Sequence, residues 1–147
     1  MPKAQAAAYS AAMTLKILLA DDNLTFLTSV KSVLAMFSQA EVVGDAHNGA
    51  QALEMAQRLQ PDLVLLDIVM PGMTGLDVAR IMKTWPQPPK VVFLSLHDNV
   101  FYRAAARELG ALGLVGKANF VIELFPMIAG LMPDIQDNQG SKTGCAS

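Results

Sequence analysis

One cysteine, Cys145, stands in a chain of 147 residues, and it lies two residues from the end. A disulfide framework is thereby excluded, a thiol metal site has no support, and a reducing cytoplasm is the expected setting. Basic residues are not in excess: 11 Lys and Arg face 13 Asp and Glu, a net charge of −2. Nothing here gives a global attraction for nucleic acid or an anionic membrane, which needs clustered Lys and Arg. No apolar run approaches the ~20 residues that cross a bilayer. The alanine-rich start, M-P-K-A-Q-A-A-A-Y-S-A-A-M, lacks the leucine-type core of a secretory signal and reads as a flexible leader over residues 1–13. A second folded domain has no room, whereas 52% apolar content suits one core, expected over residues 14–132 with a polar tail at 133–147.

What the chain does have is a set of short apolar runs that each end in a chemically useful residue. K-I-L-L-A-D-D ends in Asp21 and Asp22, D-L-V-L-L-D in Asp67, K-V-V-F-L-S in Ser95 and G-L-V-G-K in Lys117. Continuous branched runs of this length suit strands covered on both faces. Open α/β sheets place their chemistry outside the carboxyl ends of such strands, where strand order reverses.

Helical spacing fills the intervals. After a first strand at Leu15–Ala20, Asn23 caps a helix whose stripe is Leu27, Val30, Leu34 and Phe37. A weaker, peripheral strand at 41–46 ends at the turn signal Asn48-Gly49. The next helix buries Ala52, Leu53, Ala56 and Leu59 and stops at Pro61. A strand at 62–67 runs into a loop broken by Pro71, Gly72 and Gly75. A third helix at about 75–85, with Leu76, Ala79, Ile81 and Met82 partly buried, ends before Pro86, Pro88 and Pro89. A strand at Lys90–Ser95 precedes a fourth helix through 104–109, capped by Asp98 or Asn99 and closed by Gly110. Gly113–Gly116 is the fifth strand. A last helix at 120–131 holds Pro126, which requires a first-turn position or a kink. Met70, Met73 and Met82 read as core and loop packing.

Five alternating strand–helix pairs imply a parallel sheet with right-handed crossovers and helices on both faces. With the weak second strand at the edge, the order is 2-1-3-4-5, the flavodoxin-like (βα)5 arrangement. Strands one and three are then neighbours, about 4.8 Å apart, so Asp21, Asp22 and Asp67 share a pocket. Clustered carboxylates need a compensating cation. Magnesium fits an open all-oxygen site, and zinc is disfavoured because no His or Cys sits at these tips. A metal, an ammonium at Lys117 and a hydroxyl at Ser95 around a nucleophilic Asp67 suit phosphoryl transfer to give an acyl phosphate.

Residues 15–131 resemble the receiver domain of bacterial two-component response regulators. The motifs are the acidic pair Asp21-Asp22, D-I-V-M-P-G-M-T-G beginning at Asp67, the hydroxyl Ser95 and Lys117, in order and at the family's spacings. The resemblance implies that Asp67 accepts phosphate from a sensor histidine kinase or phosphotransfer protein. It implies Mg2+ held by Asp22, Asp67 and the Val69 backbone carbonyl, with Asp21 acting through water and with Ser95 and Lys117 on the phosphoryl oxygens. It further implies a downstream effector, or a second copy, on the face of helix 4, strand 5 and helix 5, here carrying Phe101, Tyr102, Arg103 and Arg107. L-H-D-N and Y-R-A-A-A-R-E-L-G-A are similar to receivers fused to a LuxR-type helix-turn-helix. Such a module does not fit in the residues after Pro133, leaving a stand-alone receiver or a piece of a longer regulator.

Three positions depart from the family pattern. Ala118 replaces the usual proline after the lysine, so a trans bond or a strained loop is expected there. Leu114 replaces an aromatic residue that responds to phosphorylation, and Leu96 replaces a small residue beside Ser95, which implies slow phosphoryl turnover. His97 is read as a loop residue tuning access rather than a ligand. An aspartyl-phosphate phosphatase of the haloacid-dehalogenase type needs a second acid two residues past the nucleophile, where Val69 stands. G-A-L-G-L-V-G does not match the dinucleotide fingerprint. A phosphate-independent binding module is the alternative retained.

Overall fold

The computed structural model describes residues 14–97 and 99–132. The leader, the tail with Cys145, and Asp98 lie outside the described residues. The elements run β1 (Leu15–Ala20), α1 (Leu24–Leu34), β2 (Ala40–Ala46), α2 (Gly49–Leu59), β3 (Leu63–Asp67), α3 (Gly75–Lys83), β4 (Lys90–Ser95), α4 (Val100–Glu108), β5 (Gly113–Gly116), a 3-10 turn (Lys117–Asn119) and α5 (Phe120–Gly130). The strands form one parallel sheet in the order β2-β1-β3-β4-β5.

Alternation along the strands explains why their sequences look apolar throughout. Leu18, Val64, Leu66 and Phe93 face one layer, with Ala56, Val78, Met82 and Ala106 of α2, α3 and α4. Ile17, Leu19, Leu65 and Leu94 face the other, with Leu27, Val30 and Leu34 of α1 and Leu124 and Ile128 of α5. Both faces exclude water, so neither face of a central strand tolerates polarity. β2, paired only with β1 and largely half-buried, is an edge strand, with β5 at the other edge.

Caps set where the helices begin. Asn23, Asn48, Thr74 and Asn99 each accept a backbone N–H of the following turn, satisfying donors that a helix start leaves unpaired. Gly110, at φ 74°, closes the turn after α4 in a left-handed conformation that other residues resist. At Gln60, the residue before Pro61, α2 ends at φ 50°.

Two expectations need correction. Ile81 is 40% exposed and Val78 fills the inward position instead, because Gly75, Val78, Ala79 and Met82 follow the i, i+3, i+4, i+7 spacing of one helix face and Ile81 falls off it. Pro126 lies in the second turn of α5, not the first, so the bond its N–H would have made to the Ile122 carbonyl is given up. Of the two caps offered for the fourth helix, Asn99 does the work, accepting from the Phe101 and Tyr102 N–H groups so that the helix starts at Val100.

Gly75 joins the fold to the site. Its N–H donates to the Ile68 carbonyl at 2.8 Å, and a Cβ at this position would overlap the Asp67 carbonyl oxygen. The overlap is with backbone, which cannot swing aside. Gly75→Ala is expected to lower stability by about 3 kcal/mol, seen as a lower urea midpoint, and to disturb the tip of β3.

Candidate functional site

The carboxyl ends of β1, β3, β4 and β5 converge. Asp21 follows β1 and is fully buried, Asp22 beside it is exposed, and Asp67 is the last residue of β3 and nearly buried. One oxygen from each of these three carboxylates lies within 4.8 Å of the others. Lys117, first residue after β5, places Nζ 2.7 Å from Asp21 Oδ2 and 3.2 Å from Asp67 Oδ2, with its side chain only 7% exposed. The contact with Asp21 is an ion pair rather than an aligned hydrogen bond. Its other oxygen, Oδ1, accepts from Asn23 N at 2.8 Å. Asp67 Oδ1 accepts from Val69 N at 3.3 Å.

Electrostatics at Asp67 follow from this crowding. Burial pushes its carboxyl from 3.8 up to about 6, the Asp21 charge adds to the rise, and the Lys117 ammonium opposes it. A single ammonium facing three carboxylates leaves negative charge unbalanced. The donor set is all oxygen, open on the Asp22 side, and suits a hard divalent cation such as Mg2+.

Ser95, buried at the end of β4, is satisfied by its own turn. Its hydroxyl donates to the His97 carbonyl at 2.7 Å and accepts from His97 N at 3.2 Å. A cavity of about 640 Å³ opens over Asp22, Asp67, Ser95 and Lys117, with Val69, Leu96, His97 and Tyr102 on its walls. Leu96 is 72% exposed at this rim. Leu114 is not at the rim but buried in the layer with Phe93 and Ala106. Lys117 and Ala118 are joined by a trans bond, as are all described residues.

All the acidic, hydroxyl and lysine positions singled out in the sequence thus meet in one place. Two residues were missed. Tyr102, assigned to an outer face, also lines the cavity. Phe26 lies under Lys117 Nζ, 4.8 Å from its ring centroid. A large aromatic one position off the Leu27 stripe, a single turn past Asp22, was the available signal.

The response regulator receiver domain family matches residues 17–129, and the chain belongs to it. Members are the receivers of two-component signalling, whose general function is phosphorylation on an aspartate, typically with magnesium. The chain is 38% identical over 101 residues to the nitrate/nitrite response regulator NarL of Escherichia coli, covering 69% of this chain and 47% of that protein. It is 34% identical over 119 residues to the transcriptional regulatory protein DegU of Brevibacillus brevis, covering 78% and 50%. The solved receiver of Mycobacterium tuberculosis NarL superposes with a TM-score of 0.75 at 31% identity, covering 82% of this chain and 97% of that one. The chain therefore spans half or less of these full-length relatives. A protein-glutamate methylesterase of Alkalilimnicola ehrlichii shares the segment too, over 30% of its length, so what the relatives have in common is the receiver and not one output.

Proposed function

We propose that Asp67 is the phosphoacceptor and that the chain is a phosphorylation switch fed by a sensor histidine kinase or phosphotransfer protein in the cytoplasm. The observation supporting this most directly is the Lys117 ammonium held between Asp21 Oδ2 and Asp67 Oδ2 beside an open cluster of three carboxylates. An Asp67 oxygen attacks phosphorus as the bond from phosphorus to the donor's nitrogen breaks, giving an acyl phosphate and a free imidazole. Asp22, Asp67 and the Val69 carbonyl would hold Mg2+ directly, with Asp21 acting through water. The ion would offset charge on the phosphoryl oxygens. Lys117 steadies one of those oxygens.

Ser95 reaches another only by exchanging partners. Both of its hydrogen bonds end on His97 backbone, so turning toward phosphate releases the loop that leads into α4. Phosphate on Asp67 is thereby linked to the α4–β5–α5 face, where Phe101 and Arg107 are exposed and an effector or second copy would be read. The effector is either a module on the same longer chain or a separate protein.

The test is intact mass after incubation with magnesium and acetyl phosphate. Parent protein should gain one phosphoryl group that is acid-stable and base-labile, and Asp67→Asn should gain none. An unmodified parent that still binds magnesium would favour the phosphate-independent module, consistent with the aliphatic Leu114 in the core. The rim position of Leu96 gives a further expectation. Leu96→Ala should release phosphate several-fold faster than parent by admitting water, measured as decay of the intact-mass adduct; an unchanged half-life would remove Leu96 as the shield.

A further inference from the structure

We infer that Phe26 is a positioning residue for Lys117, holding its ammonium at the height where a phosphoryl oxygen would meet it. This rests on the reading of Lys117 as the cation that steadies the phosphoryl group. A lysine side chain has four rotatable carbons and strong rotamer freedom, so a buried pair of acids alone does not fix where its ammonium sits. Two other restraints do so.

The first is on the backbone. Gly116, immediately before Lys117, pairs in register with Ser95 of β4, and its N–H donates to Glu123 Oε1 of α5 at 3.3 Å. The base of the lysine is tied to the sheet and to the first turn of α5. The second is on the side chain. Lys117 Nζ lies 4.8 Å from the Phe26 ring centroid, and Phe120 packs edge-on against that ring at 5.0 Å and 68°. A ring face attracts a cation, more so where water is excluded, and Lys117 is 7% exposed.

Phe26 is itself indexed to the acid cluster. Its N–H donates to Asn23 Oδ1 at 3.0 Å, and Asn23 N donates to Asp21 Oδ1 at 2.8 Å. Asp21 Oδ2 faces Lys117 Nζ at 2.7 Å. The contacts close a circuit from Asp21 through Asn23, Phe26 and Lys117 back to Asp21. The ammonium is therefore located by the same residue that locates the acid it faces. Phe120 transmits the position of α5 to the ring, so α5 and the site share one support.

The experiment measures the rate of phosphoryl uptake from acetyl phosphate at saturating magnesium in parent, Phe26→Leu, Phe26→Tyr, Lys117→Met and the Phe26→Leu/Lys117→Met double variant. Phe26→Leu should slow uptake roughly 2- to 30-fold, Phe26→Tyr should stay near parent because a ring face remains, and Phe26→Leu should add nothing once Lys117 is gone. A purely structural role would give the same loss in both backgrounds and overturn the inference, as would a parent-like Phe26→Leu. Urea denaturation of the same variants without magnesium gives a second reading: a coupling between Phe26 and Lys117 is expected, and strict additivity overturns it. Should the parent take up no phosphoryl group, the proposed function fails, and the denaturation cycle alone decides whether Phe26 holds Lys117.

Discussion

Asp67→Asn should make the metal-free protein more stable at pH 8, on the order of 2–3 kcal/mol, while removing its phosphorylation. The sign follows from proton uptake. Asp67 titrates near 3.8 when solvated and about 6 when folded, so between these values the folded protein binds a proton that the unfolded chain has lost. That stabilisation is complete below pH 4 and vanishes as pH rises through 6. Above pH 6 the folded protein holds a buried carboxylate beside Asp21, with Lys117 compensating only in part. Asparagine avoids that charge. Urea midpoints of parent and variant should converge near pH 4 and separate above 6. Magnesium should narrow the gap, since it binds the folded parent more strongly than a variant lacking one ligand. A variant less stable than parent at pH 8 without magnesium would mean that the Lys117 contact outweighs the crowding.

Lys117→Met should act in the opposite direction, lowering metal-free stability at pH 8 by about 3–5 kcal/mol. Removing one partner of a buried pair strands the other, and here it strands Asp21 and Asp67 together. Methionine keeps much of the stem's packing, so the loss reports charge rather than volume. Lowering the pH toward 5 should recover part of it, because Asp67 can then take up a proton. Saturating magnesium should recover more, by supplying positive charge to the same oxygens. If the midpoint shifted equally at pH 5 and pH 8 and ignored magnesium, Lys117 would be acting through packing alone. The contrast between the two variants is the sharper result: neutralising an acid stabilises, neutralising the ammonium destabilises, and one cation levels both.

Much of this was legible in the sequence because a sheet covered on both faces writes itself as uninterrupted apolar runs, and the residue ending each run falls at a strand tip. Asp21, Asp67, Ser95 and Lys117 were located by that rule, and parallel order placed them together. Helix faces were less legible where the rule weakens. Ile81 and Val78 are both branched and both sit on α3; which turns inward depends on how α3 leaves the Gly75 contact, a tertiary matter. Leu114, read as a switch position, packs in the layer with Phe93 and Ala106, a placement its own four-residue strand does not announce. Alternation along four residues cannot be phased without knowing which helix lies over which face. Phe26 was missed because its work depends on a ring meeting a cation more than ninety residues away.

α4 holds its place by less than its neighbours do. Ala106 is its one fully buried residue, against four or more in α1 and α3. A helix so lightly seated has little packing to lose when it tilts or frays, and its opening free energy falls well below that of the sheet beneath it. The Ser95–His97 turn sits just upstream of this least anchored helix. A rearrangement worth only a hydrogen bond or two at that turn is then expected to be large enough to change how often α4 is in place.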